Sequence, residues 1–167
     1  LYVPMSALST TTMVTSAADF ERRERATGAR FRNGDVLLPR ITPCLENGKT
    51  ALVDFLAEGE VACGSTEFIV LRGRDLPPAF VYCLARTYGF REIASKSMVG
   101  ASGRQRVQVE CFGDAYLLVP PRPVLQAFDD FGAATFRQIR VLVMQNEKAR
   151  AARDLLLPRL MSGEIAL

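Results

Sequence analysis

Residues 124–157 read VLQAFDDFGAATFRQIRVLVMQNEKARAARDLLL, with one glycine, Gly132, and no proline before Pro158. Apolar side chains recur at Leu125, Phe128, Ile139, Leu142, Ala149 and Leu156, on alternating spacings of three and four that pass through Gly132, Thr135, Asn146 and Arg153. That is an imperfect heptad stripe along a helix. About 34 residues at 1.5 Å each make a rod of about 50 Å. A small domain does not bury a rod of that length, so part of the stripe is expected to meet another helix. A terminal helix packed on its own domain is the competing arrangement. Asn146 on the seam would fix register at some cost in stability. Pro158 is expected to end or kink the helix, because it lacks the N–H that the turn before it needs.

Upstream, short elements alternate with glycine and proline. Tyr2 to Leu8 reads as a strand, Ala17 to Arg25 as a short charged helix, and Asn33-Gly34 as a turn. Asp35 to Ile41 reads as a strand whose Pro39 argues for an edge or a bulge. Thr50 to Leu56 and Glu67 to Leu71 read as strands, the second most clearly. Pro77-Pro78 opens a helix over about Ala79 to Arg86, and Gly89 separates it from a second over Phe90 to Met98. Arg104 to Val109 reads as extended and Ala115 to Val119 as a strand closed by Pro120-Pro121.

Composition narrows the chemistry. The 167 residues are 49% hydrophobic and 23% charged, enough apolar material for a core and too much for a disordered chain. No apolar run reaches the roughly 18 residues a membrane span needs. Cys44, Cys63, Cys83 and Cys111 form no Cys-x-x-Cys pair and are expected to be reduced, mostly buried thiols of a cytoplasmic protein. The chain has no histidine, which removes Ser-His-Asp and Cys-His catalysis and the common zinc sites with histidine ligands. The opening Leu-Tyr-Val-Pro-Met lacks an initiating Met and the charged-then-apolar order of a signal peptide, so a fragment is expected.

The net charge is only +3, but five basic residues (Arg86, Arg91, Lys96, Arg104, Arg106) stand against one acid, Glu92, between 86 and 106. Such a run suits phosphates, or is an ordinary solvated surface. Three loops carry suitable chemistry. Arg40 to Lys49 offers Arg40, Thr42, Asn47 and Lys49 toward phosphates or base edges. Its Asn47-Gly48-Lys49-Thr50 ends like a nucleotide-binding loop, but Pro43 stands where that pattern needs a glycine, so a triphosphate site is rejected. Ser65 and Thr66 after Gly64 suit a phosphate or a simple turn. In Gly100-Ala101-Ser102-Gly103-Arg104-Gln105-Arg106, arginine matches guanine and glutamine matches adenine in the major groove; a mobile surface loop is the plainer reading. Leu76-Pro77-Pro78 lacks the leading polar and trailing aromatic residues that adenine methyl transfer requires.

Taken in order, these segments resemble the specificity subunits of type I restriction-modification systems. The resemblance runs through Gly34-Asp35-Val36-Leu37, Arg40 to Thr50, Gly64 to Leu71, Gly100 to Val107, Leu118-Val119-Pro120-Pro121 and Arg153 to Ile165. It implies a mixed α/β (α+β) fold: a target-recognition domain with a mixed sheet at residues 1–122, and a coiled-coil-forming helix at 123–167 that acts as spacer and dimerisation region. The expected partners are double-stranded DNA, the methyltransferase (modification) subunits, the restriction subunit and a second copy of the chain. No cofactor or metal is expected here; S-adenosylmethionine, ATP and magnesium belong to the partner subunits, and the chain itself carries no catalysis. Arg104, Gln105 and Arg106 are the expected base readers, and Lys49, Ser65 and Thr66 the expected phosphate contacts. Leu125, Phe128, Ile139, Leu142, Asn146, Ala149 and Leu156 are the expected helix-packing positions. Complete subunits of the family usually carry two recognition domains and two such helices, and the usual opening of a recognition domain upstream of Tyr2 is missing. A fragment, a truncated gene product or a natural half-subunit is therefore expected. Two other classes stay open: a helical interaction and assembly protein that binds no DNA, and a small enzyme using carboxylates such as Asp35 and Glu46.

Overall fold

The computed structural model describes residues 1–25 and 27–165. They form two compact units, Leu1–Asp130 and Phe131–Leu167. The fold is mixed α+β, with small sheets and a long C-terminal helix.

The first unit holds six short strands: β1 (Tyr2–Val3), β2 (Ala29–Phe31), β3 (Val36–Pro39), β4 (Ala51–Leu52), β5 (Ala62–Gly64) and β6 (Phe68–Leu71). They make two three-stranded sheets, β1-β5-β2 and β4-β3-β6. The first is mixed, with β1 parallel and β2 antiparallel to β5. The second is antiparallel throughout. Val36, Leu37 and Leu38 are all fully buried, as expected of a continuous apolar strand covered on both faces. Register sorts the two faces. Leu37 pairs with Val70, and this face joins Val3, Phe31 and Ala62 of the other sheet in one core. Leu38 pairs with Ile69, and this face joins Leu45, Ala94 and Val107 in a second core.

Pro39 fits a central strand for a local reason. Arg40 N–H donates to the Glu67 carbonyl of β6, so by alternation the N–H that Pro39 lacks would face the β4 side. There β4 pairs only with Val36 and Leu37. Pro39 therefore sits where β3 is an edge.

Helix α1 (Pro78–Arg86) packs on β3 and β4. Helix α2 (Tyr88–Lys96) follows a sharp corner at Thr87. That residue serves both helices: its N–H donates to the Leu84 carbonyl and its hydroxyl accepts the Phe90 N–H at 3.4 Å. Phe90 of α2 stacks on Phe112, ring centroids 4.8 Å apart. At the start of helix α3 (Arg122–Met161), Leu125 is buried and the Phe128 ring meets Phe80 edge-on at 5.7 Å.

Several expectations are corrected. Ala17 to Arg25 is not a helix: one 3-10 turn, Ala17–Asp19, gives way to extended chain where Glu21 bridges Tyr2. The charged run offers no apolar face to bury, so nothing stabilises a short helix there. Ala115 to Val119 forms no strand, and Tyr116 and Leu118 lie exposed; no neighbouring strand pairs with this segment. Thr50 to Leu56 contributes only Ala51–Leu52 to the ladder. Pro158 does not end α3, which runs on to Met161. One missing N–H in the last turns is tolerated; the stop comes at Gly163, whose positive φ of 75° and N–H to the Leu160 carbonyl close the end. Cys63 is buried, Cys44 and Cys111 half-buried and Cys83 exposed, all free thiols.

The second unit is helical. Thr135 donates its hydroxyl to the Phe131 carbonyl at 2.8 Å, and Arg153 pairs with Asp154 at 2.6 Å. Val141, Leu142, Met144, Leu155, Leu156 and Leu157 are exposed. Among the described residues, no helix is long and apolar enough to cross a membrane.

Candidate nucleic-acid interface

The Gly100–Arg106 segment is a closed turn, not the hinged loop its glycines suggest. Val99 and Arg106 exchange both backbone hydrogen bonds, at 3.0 and 2.9 Å. Within that closure the Arg104 N–H donates to the Ala101 carbonyl at 3.0 Å, and Gly103 has φ +75°. A positive φ at the third of four residues is the type II turn, which selects glycine there. Arg104 is carried at its exit, exposed, with no side-chain partner among the described residues.

Three connections fix this turn to the sheet. Thr42 and Gln105 are joined by two hydrogen bonds, Thr42 N–H to the Gln105 carbonyl and Gln105 N–H to the Thr42 side-chain hydroxyl, each 3.0 Å. Arg40 donates through Nη2 to the Val107 carbonyl at 2.9 Å, while its Nε is buried without a hydrogen-bond partner among the described residues. Arg106 pairs with Glu67 at 2.8 Å, and that hydrogen bond and charge hold its guanidinium above the ordinary arginine range. Ser65 Oγ accepts the Glu67 N–H at 3.2 Å, which shapes the β5–β6 turn and leaves Thr66 exposed.

Seven of the nine residues chosen from sequence thus gather at one end of β3 and β6: Arg40, Thr42, Ser65, Thr66, Arg104, Gln105 and Arg106. Gln105 is half-buried and held through its backbone; the side chains of the other six divide into two sets. Arg40, Thr42, Ser65 and Arg106 are committed to bonds within the protein. Arg104 and Thr66 are outward and unengaged among the described residues.

Asn47 and Lys49 sit elsewhere, on the segment between β3 and β4. Asn47 is exposed, and Lys49 Nζ donates to the Met5 carbonyl at 2.9 Å. Sequence reasoning missed what holds this segment. Arg86 donates to the Gly48 carbonyl at 2.7 Å. Arg91 donates to the Thr50 hydroxyl at 3.1 Å and to the Leu45 carbonyl; burial, then the nearby Arg86 charge, pulls its guanidinium below the ordinary range. Two members of the basic run from 86 to 106 are therefore braces. Glu67, which aims Arg106, was also missed; at a separation of 39 residues no local pattern reveals the pair.

Asp35 is equally committed. It is 1% exposed, accepts Arg72 Nε and Nη2 at 2.6 and 2.7 Å, and accepts the Arg32 N–H at 2.8 Å. A carboxylate with both oxygens occupied and no access to solvent is a poor acid or base. No cluster of histidine, cysteine or acidic residues suited to a metal occurs among the described residues.

No family model matches the chain. Two curated Escherichia coli proteins do: the type I restriction enzyme EcoEI specificity subunit, 29% identical over 126 residues, and its EcoAI counterpart, 27% identical over 126 residues. Each match covers 72% of this chain and 21% of the relative, so the chain spans about a fifth of their length. Among solved structures, the HsdS subunit from Thermoanaerobacter tengcongensis shares the fold with a TM-score of 0.59 at 22% identity, over 93% of this chain and 40% of that one. A chain from a structural study of complex assembly and conformational transition of the type I restriction-modification system aligns with a TM-score of 0.57 at 21% identity, over 99% of this chain and 43% of that one. Over 72% of its length the chain is similar in sequence to these type I restriction enzyme specificity subunits, and over nearly all of it the fold is shared with the solved structures, in each case corresponding to part of the longer protein.

Proposed function

We propose that this chain is a DNA-reading element of a type I restriction-modification complex, without catalysis of its own. In this reading residues 1–122 recognise duplex DNA and residues 123–167 space and join recognition elements. Methyltransferase and restriction subunits, working in the cytoplasm, supply S-adenosylmethionine, ATP and magnesium chemistry. The observation that carries the reading is the Gly100–Arg106 turn. It is braced on Thr42 and Glu67 and presents an unpaired Arg104 beside exposed Thr66. An arginine on a rigid turn suits bidentate contact with a guanine edge, and a small hydroxyl beside it suits phosphate. Rigidity matters because a turn whose backbone is already ordered loses less entropy on binding.

Arg104→Ala is expected to lose about 1–3 kcal/mol of discrimination at one position of the target, with the other positions unaffected. Selection of bound sequences from a random duplex pool, followed by fluorescence anisotropy, reads this directly. An unchanged preference in the variant counts against the turn as reader. A wild-type chain that binds no duplex at low salt favours the helical assembly reading instead.

The helix carries a second, separable proposal. Leu142 and Leu156 on the stripe are exposed, as are Val141, Met144 and Leu155 beside it. At 100° per residue these five lie within about half the helix circumference, wider than a two-helix seam needs. We expect self-association through this face. Sedimentation should show a dimer, and Leu142→Glu with Leu156→Glu should make it monomeric without loss of helix by circular dichroism. A wild-type monomer at high concentration rejects the dimer.

A further inference from the structure

Five arginines and two glutamates stand between Glu21 and Arg32, a local excess of three positive charges that equals the net charge of the whole chain. Reading by charge alone favours the 86–106 run, but the structure reverses that order. There Arg86 and Arg91 brace carbonyls, Lys96 pairs with Glu92 at 2.9 Å and Arg106 with Glu67, leaving Arg104 outward. In the earlier segment, among the described residues, only the Arg23 guanidinium is engaged: it pairs with Glu21 at 2.7 Å and lies 3.2 Å from the centre of the Tyr2 ring. Arg22, Arg25, Arg30 and Arg32 are exposed, with no carboxylate partner among the described residues.

The fold places this charge next to the candidate reader. Tyr2, Cys63 and Arg30 lie opposite one another across β1, β5 and β2. Phe31 and Ala62, one residue on, enter the core, so the Tyr2–Cys63–Arg30 row belongs to the outer face of the sheet. A cleft of about 260 Å³ on that face is lined by Arg23, Arg30, Cys63 and Val61 among others. Past the clasp of Arg23 on Tyr2, the chain returns to the sheet at Gly28. Gly28 is held so tightly against the β5–β6 turn that an added Cβ would meet the Gly64 carbonyl oxygen and lie 3.2 Å from the Thr66 nitrogen. Thr66 adjoins Glu67, which grips Arg106. The arginine segment is thus tied through Gly28 to the β5–β6 turn, and through Glu67 and Arg106 to the turn that carries Arg104.

We propose that Arg22, Arg25 and Arg30 form a second, sequence-independent contact with the phosphates of the same duplex that the Arg104 turn reads. This rests on the DNA-binding reading above. Phosphate contacts set register and supply most of the affinity while base contacts supply the choice of sequence, and a single outward arginine on the reading turn leaves that larger share unassigned. Guanidinia with no carboxylate partner among the described residues, Arg30 on the outer sheet face and Arg22 and Arg25 on the segment before it, fill that role. A duplex is favoured over an acidic protein surface because the segment is tied, through the β5–β6 turn and Glu67, to the turn that carries Arg104.

The test is anisotropy of fluorescent duplexes from a random-sequence pool, titrated with this chain at several salt concentrations. Arg22→Ala, Arg25→Ala and Arg30→Ala combined should weaken binding to every duplex. The slope of log K against log salt should fall by about 2–3, since each lost phosphate contact removes about 0.9. The selected motif should be unchanged. Lysine at all three positions should restore the slope, which a merely unfolded alanine variant does not explain. An unchanged slope in the alanine variant overturns the proposal and assigns the patch to another partner; if Arg104→Ala still alters the motif in that case, the DNA-binding reading stands. A wild-type chain that binds no duplex at low salt removes both.

Discussion

Gly28→Ala is expected to cost at least about 3 kcal/mol of stability, from backbone strain and a steric clash together. Two effects add. Gly28 has φ +88°, a region that costs an L residue roughly 1–2 kcal/mol. A Cβ there would also stand 1.9 Å from the Gly64 carbonyl oxygen and 3.1 Å from its carbon. Both are backbone atoms of β5, the middle strand of its sheet, so they do not yield as a side-chain tip does. Gly64 has no slack on its other side, where an added Cβ would lie 2.6 Å from the Val3 carbonyl oxygen. Gly103→Ala separates the two effects. Its φ is +75° but nothing lies within 4 Å of the new methyl, so only the conformational cost of roughly 1–2 kcal/mol applies. Urea unfolding of both variants decides; equal losses at the two sites would remove the steric part of the argument.

Asp35→Ala should destabilise the first unit by about 2–3 kcal/mol. Removing one partner of a fully buried ion pair costs roughly 3–5 kcal/mol. Arg72, however, keeps about half its side-chain surface exposed (48%) and can turn to water, so the loss falls below that range. The Arg32 N–H loses its acceptor as well, a further reason for a measurable loss. Asp35 lies one residue before Val36, whose partner Leu71 precedes Arg72, so the pair clamps one end of the β3–β6 ladder. The other end carries Arg40 and the 100–106 turn. Thermal unfolding with and without Arg72→Ala tests the coupling: the double variant should lose less than the sum of the single ones. Strict additivity would show that the pair holds nothing together. The same geometry argues against an enzyme built on Asp35 and Glu46, since Asp35 is enclosed and Glu46 is exposed on another segment.

What sequence conveyed, and what it concealed, follows from the range of the interactions. Helix α3 is legible because its periodicity is local and Gly132 is its sole glycine. β6 is legible because Phe68-Ile69-Val70-Leu71 is apolar and β-branched. β2 and β5 went unread: each is three residues long, and Ala62-Cys63-Gly64 offers small side chains whose strand character comes only from pairing with Tyr2–Val3 and Ala29–Phe31. Tyr116 to Val119 misled in the opposite direction, with strand-like composition and no strand to meet. Among candidate residues, a loop at 100–106 was legible from its glycines, but its closure into a braced turn was not, because the Val99–Arg106 and Thr42–Gln105 bonds that close it are not local in sequence. The commitments of Arg40, Lys49, Arg86, Arg91 and Arg106 were not, because the oxygens they bind lie far away in sequence. The arginines from 22 to 32 were hidden by the neighbouring Glu21 and Glu24, and only the structure shows that Glu21 is spent on Arg23.

The central claim is that the turn carrying Arg104 chooses the DNA sequence. Methylation mapping tests it most directly, in cells carrying this chain or its Arg104→Ala variant together with the methyltransferase subunit. The account predicts one recurring methylated motif for the wild type, and for the variant the same motif relaxed at a single position. The same motif from both, or methylation with no recurring sequence in the wild type, would contradict it.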